Sequence, residues 1–193
     1  MGEALAKHLF KQLVDAVTYL HTVAKVVHRD LKLENIVLDR NFSLKLCDFA
    51  MSKTLLEGNL TGIYYSQLGS ERYMAPEIIE GKPYKGTAVD IFALGVILFA
   101  MVTGVMPFDR RAHKEDLLYS LLIKNEEAQY WQQLDKMYAE EAYFIGLKNI
   151  SDDFKKLIVS FFKYHYFERI TLDQLKQSSW LQSVGNDDHQ AEL

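Results

Sequence analysis

Hydrophobic positions recur with a helical period over the first 22 residues. Leu5, Leu9, Leu13, Val17 and Leu20 share one stripe, with Ala6, Phe10 and Ala16 beside it. Lys7, Lys11, Gln12 and Asp15 take the other side. This predicts an amphipathic helix over 3–22, with His8 and His21 as surface or helix-end residues. Three short apolar runs follow, 26–27, 36–38 and 44–47, and predict brief strands. Asp39-Arg40-Asn41, between the last two, is a hairpin turn signal. Residues 51–69 are polar, contain glycine and lack a period, which predicts a long mobile loop. The run 91–102 is apolar enough to suggest a membrane span. It is shorter than the ~20 residues a span needs, and Asp90 stands at its start. A buried core helix over 87–103 is the better reading. A helix over 114–124 should turn Leu117, Leu118, Leu121 and Leu122 inward. In 125–150, Trp131, Leu134, Met137 and Tyr138 have helical spacing among several acids; an added packed helix or a partner surface fits, and the helix is favoured. Ser151-Asp152-Asp153 is an N-cap signal opening a helix to 163, and Thr171 opens another.

Composition narrows the class. The 193 residues are 49% hydrophobic and 25% charged, enough for one soluble globular domain with a sizeable core. A net charge of -4 gives no general attraction to nucleic acid or to an anionic membrane, and neither is an expected partner. Cys47 is the single cysteine, so no internal disulfide forms. With no signal-peptide pattern at Met1, a cytoplasmic or otherwise intracellular setting is expected.

The chemistry gathers at the ends of the predicted strands. Asp30 and Lys32 follow the first, Asn35 opens the second and Asp48 closes the third. A closed hairpin would bring Asn35 near Asp48, with Asp30 in the loop entering the same corner. Asp48 and Asn35 offer hard oxygen donors of the kind magnesium takes while keeping water and phosphate ligands. Asp30 can accept or orient a hydroxyl proton, and Lys32 can neutralise charge on a moving phosphoryl group.

The run His28-Arg29-Asp30-Leu31-Lys32-Leu33-Glu34-Asn35, followed by Asp48-Phe49, resembles the catalytic loop and metal-binding turn of eukaryotic protein kinases. Gly69-Ser70-Glu71-Arg72-Tyr73-Met74-Ala75-Pro76-Glu77 is similar to the same family's G-T-x-x-Y-x-A-P-E, and Asp90-Ile91-Phe92-Ala93-Leu94-Gly95 to its D-x-W-x-x-G. The resemblance covers nearly all of residues 3–180. It implies a mainly α fold of the α+β kinase family: the large C-terminal helical lobe, with short β-hairpins at the catalytic corner, over 1–182, and a polar, disordered tail over 183–193.

The resemblance also implies an ATP- and Mg²⁺-dependent protein kinase. Lys32 favours serine or threonine as acceptor, and the pattern looks most like the calmodulin-dependent kinase group. It makes Asp30, Lys32, Asn35 and Ser70 catalytic, and Lys32, Asn35, Val37 and Asp48 nucleotide-binding, with Asn35 and Asp48 holding metal. Val37 would floor the adenine; a plain core strand residue fits it equally well. His28 should pack beneath Asp48-Phe49, and Arg29 should pair with a phosphate on the activation segment. Ser66 is the candidate acceptor for an upstream kinase, with Thr61, Tyr64 and Tyr65 competing. Asp90 should grip the catalytic-loop backbone, and Glu77 should pair with Arg169.

There are departures. Ala50 replaces the glycine after Asp-Phe, His165-Tyr166 replaces Asp-Pro, and Ser178-Ser179 stands where His-Pro precedes tryptophan. No G-x-G-x-x-G occurs, and Lys7, Lys11 and Lys25 lie on a helix and its exit, so the family's sheet-rich N-terminal lobe is absent from these residues. A fragment or truncated gene product and a one-lobed protein both fit. On either, these residues alone are expected to turn over ATP poorly. The alternative function is a non-catalytic, pseudokinase-like interaction module.

Overall fold

The computed structural model describes residues 1–55, 62–141 and 149–183; Thr61 and the polar tail beyond Ser183 lie outside them. The fold is mainly α. Among the described residues, helices α1 (Glu3–Tyr19), α2 (Pro76–Ile79), α3 (Gly86–Thr103), α4 (Leu117–Ile123), α5 (Glu127–Tyr138), α6 (Asp152–Phe161), α7 (Leu172–Lys176) and α8 (Ser179–Gln182) accompany three two-stranded antiparallel ladders.

Helix α3 is the axis. It is apolar on all sides, and Leu94, Val96, Ile97, Leu98 and Phe99 are wholly buried. It is long and apolar enough to cross a membrane, yet 89% of it is buried inside the molecule, as expected of a core helix. Helices α1 and α6 pack on it. Phe92 meets Phe108, Tyr119 and Phe162, and Phe99 stacks on Trp131 of α5 at 6.1 Å. Each such large apolar side chain contributes roughly 1.5–3 kcal/mol by leaving water. Gly104, at φ 81°, closes the helix in the left-handed conformation that suits glycine.

The packed helix favoured within 125–150 is present as α5, burying Tyr130, Trp131 and Leu134. Two expected faces shift. In α1 the buried stripe is Ala6, Leu9, Phe10, Leu13, Val14 and Val17, and Leu5 is exposed. In α4, Asp116 caps the helix by accepting from the Leu118 and Tyr119 N–H groups, which starts it at 117 and leaves Leu117 facing solvent. Glu3 ties the start of α1 to Ser151 and to the end of the described chain. Its carboxylate accepts from the Ser151 N–H (2.6 Å) and hydroxyl (2.8 Å) and from the Trp180 indole N–H (2.6 Å).

The strands position the corner. β1 (Val26–Val27) pairs with β4 (Lys53–Thr54), and β2 (Ile36–Leu38) with β3 (Leu44–Leu46) in the expected hairpin. The Asp39 carboxylate accepts from the Asn41 and Ser43 N–H groups in its turn. β5 (Ile63–Tyr64) pairs with β6 (Tyr84–Lys85). The loop expected over 51–69 is therefore fastened at both described ends. Two-residue pairings carry no periodicity: the strand at 26–27 was expected, but its partner β4 and the β5–β6 pair were not.

Candidate active site

The site is built outward from Asp90. Its carboxylate is buried in α3 and accepts from the backbone N–H of His28 (2.9 Å) and of Arg29 (2.8 Å). The third partner is His21, whose Nε2 lies 2.8 Å from Asp90 Oδ2. His21 is therefore not a surface residue. α1 widens into a π-helical turn at Leu20–Ala24, closed by Lys25 at φ 56°, and this turn holds the buried imidazole against α3. The helical period read over 3–22 runs through His21 and carries no signal of a partner 69 residues away.

Arg29 follows at φ 67° and Asp48 at φ 60°. Left-handed backbone at non-glycine residues costs about 1–3 kcal/mol each and persists only where surrounding contacts impose it. Both residues flank the candidate site. His28 Nε2 lies 3.2 Å from the Cys47 carbonyl, and its ring packs 4.9 Å from that of Phe49, the expected arrangement beneath Asp48-Phe49.

The structure brings Asp30, Lys32, Ser70 and Asn35 together. Lys32 Nζ donates to Asp30 Oδ2 (2.9 Å) and to Ser70 Oγ (3.0 Å). Ser70 donates to Asp30 Oδ1 through both its N–H (2.9 Å) and its hydroxyl (3.0 Å). Asn35 Nδ2 donates to the Asp30 carbonyl (2.8 Å). Gly69 permits the approach: at φ 121°, a Cβ there would stand 3.0 Å from the Arg29 carbonyl. Burial pushes the Asp30 carboxyl up, but the hydrogen bonds from Lys32 and Ser70 outweigh it and hold the group below its ordinary value. The same contact with Asp30 raises the Lys32 ammonium.

Asn35 and Asp48 sit on the two arms of the β2–β3 hairpin. The Cys47 N–H donates to the Asn35 carbonyl (3.0 Å), so Asp48 lies one residue beyond that contact. With its Nδ2 spent on Asp30, Asn35 keeps its amide oxygen for a cation. The exposed Asp48 carboxylate accepts from the Ala50 N–H (3.3 Å). No cluster of three or more His, Cys, Asp or Glu side chains suits a metal among the described residues. Two hard oxygens fit Mg²⁺, which dehydrates reluctantly and is usually held by one or two protein groups plus phosphate. Val37 lies on β2, 48% exposed, so it is not a plain core residue.

A protein kinase domain model matches residues 1–181. The chain belongs to the eukaryotic serine/threonine protein kinase family. Testis-specific serine/threonine-protein kinase 2 of Mus musculus is 38% identical over 184 residues, 94% of this chain and 46% of its own length. NUAK family SNF1-like kinase 2 of Homo sapiens is 47% identical over 114 residues, 59% of this chain and 18% of its own. CBL-interacting protein kinase 31 of Oryza sativa subsp. japonica is 34% identical over 180 residues, 93% of this chain and 36% of its own. The chain thus spans less than half the length of these kinases.

The kinase fold explains two further contacts. Arg169 meets the Glu77 carboxylate with both guanidinium nitrogens, at 2.7 and 2.6 Å, in the core. Arg29, also buried, donates from Nη1 to Ser66 Oγ (3.1 Å). Sequence reasoning gave neither His21 nor Tyr84 a place beside the candidate site; the Tyr84 hydroxyl lies 3.2 Å from Arg29 Nη1.

Proposed function

We propose that the chain carries the catalytic large lobe of a protein kinase that transfers the γ-phosphate of ATP to serine or threonine hydroxyls of proteins. The supporting observation is the Asp30–Lys32–Ser70 triangle. An ionised carboxylate offers about four acceptor positions. Ser70 N–H, Ser70 hydroxyl and Lys32 occupy three on Asp30, which leaves one for a substrate hydroxyl. Asp30 orients that hydroxyl and takes its proton. Lys32, already beside Asp30, carries positive charge to where the transferred phosphoryl passes. Asn35 and Asp48 would hold Mg²⁺, which when bound neutralises phosphate charge, and Val37 would lie under the nucleotide base. Ser66, with its hydroxyl on Arg29, is the candidate target of an upstream kinase; exposed Tyr65 competes with it. The setting proposed is intracellular, where ATP and protein substrates are available.

Two measurements test this reading. Saturating Mg-ATP should raise the unfolding midpoint, by about 2.7 kcal/mol of stability at a hundred times Kd, and Asp48→Ala should remove that gain. Transfer of labelled phosphate to an acceptor protein, slow as it is expected to be in this chain alone, should fall roughly 10²–10⁴-fold further in Asp30→Asn. No stabilisation by Mg-ATP, with equal transfer in the variant, would refute it. A second reading, a non-catalytic module, draws on Ala50 and on exposed apolar side chains on and around the β2–β3 hairpin, Leu33, Leu38, Phe42 and Phe49. It expects no nucleotide effect.

A further inference from the structure

Arg29 is 6% exposed, and a buried guanidinium needs its donors taken up. Neutral groups take up three of the five. Nε donates to the Met51 carbonyl (2.7 Å), and Nη1 donates to Ser66 Oγ (3.1 Å) and to the Tyr84 hydroxyl (3.2 Å). The Tyr64 ring lies 5.1 Å from the guanidinium carbon, a favourable cation–π placement. Tyr84 passes the connection on: its hydroxyl donates to the Ser66 carbonyl (3.0 Å). Its ring, buried on β6, packs 5.9 Å from that of Tyr64.

The backbone follows the same line. Ile63 and Tyr64 pair with Lys85 and Tyr84, and the Gly86 N–H donates to the Gly62 carbonyl (3.1 Å). The Tyr64 hydroxyl reaches across to the Thr54 carbonyl (3.2 Å). Residues 62–66 are thereby held between Arg29, itself fixed by Asp90, and the strand leading into α3.

We infer that Tyr84 is a positioning residue that anchors residues 62–66 on Arg29 through neutral hydrogen bonds, so that this segment is ordered without phosphate on Ser66. A phosphoserine carries roughly -1.5 to -2 charge and forms stronger, charge-assisted bonds; on this anchor it would add to a contact already made. The inference concerns regulation of the kinase site proposed above, but its test requires no turnover and so fails or succeeds separately.

Amide hydrogen exchange over 63–66 in the full chain tests it, with thermal unfolding run alongside. The set is wild type, Tyr84→Phe, Ser66→Ala, and wild type and Tyr84→Phe each carrying phosphoserine at 66. Tyr84→Phe keeps the buried ring and should lower protection about tenfold. Ser66→Ala should lower it less than about threefold, because the Ser66 carbonyl still accepts from Tyr84. Phosphoserine should change wild type less than about threefold and restore protection in Tyr84→Phe. That rescue is what a merely structural tyrosine would not show. Unchanged protection in Tyr84→Phe, equal loosening by Ser66→Ala, or loss without rescue would overturn the anchor. If Tyr84→Phe fails to fold, wild type and its phosphoserine form decide: a gain of about tenfold or more refutes the inference, and one below about threefold supports it.

Discussion

At the residue scale, the charged groups of the core and site make opposite demands. Glu77 and Arg169 are both buried and fully matched. Removing one side strands the other in low dielectric, so Arg169→Ala should cost about 3–5 kcal/mol in chemical denaturation, and Glu77→Ala a similar amount. The Asp30–Lys32 contact is partly solvated, and its signature is pH dependence. Asp30 is held below its ordinary 3.8, so its contribution to stability is complete above that value and fades as pH falls through the lower folded value. Lys32 is held above its ordinary 10.5, so its contribution is complete below that value and is lost as pH rises beyond it. The stability difference between wild type and Lys32→Met should therefore be flat from about pH 5 to 9. A slope within that window would show that another group controls the tether.

At the element scale, α3 shows how local preference yields to packing. Glycine inside a helix is normally worse than alanine by about 1 kcal/mol. At Gly95 a Cβ would overlap Phe161 Cβ and stand 2.7 Å from its Cγ. Gly95→Ala should therefore destabilise, by roughly 1–3 kcal/mol, and a melting temperature that rises would refute the close approach of α3 and α6. The long elements were legible in the sequence because their apolar spacing is dictated by burial: α1, the β2–β3 hairpin, α3 and α6 appear where the pattern puts them, within a turn, and α5 falls inside the 125–150 stretch where a helix was favoured without bounds. What was illegible depends on single distant partners. The π turn serves His21 and Asp90, 69 residues apart. The β5–β6 ladder joins residues 20 or 22 apart with only two pairs. Asp116 shortens α4 by a capping bond that no periodicity encodes.

At the scale of the whole molecule, motif order carried the family, because several short runs stand in a fixed order along the chain and match a single domain over residues 1–181. The geometry of the Asp30–Lys32–Ser70 triangle followed from that resemblance, while the neutral clasp on Arg29 did not, since tyrosines at 64 and 84 have no signature beyond ordinary strand residues. The clasp at Glu3 has its own optical consequence. The two indoles of the chain mark two flanks of the core: Trp131 against Phe99 of α3, and Trp180 beside Phe10 of α1 and Phe154 of α6 with its N–H on Glu3. Single-tryptophan versions, Trp131→Phe and Trp180→Phe, give two independent fluorescent reporters. Superimposable urea emission curves are expected if the flanks melt as one cooperative unit; an earlier transition at Trp180 would mean that the α1–α8 seam opens first.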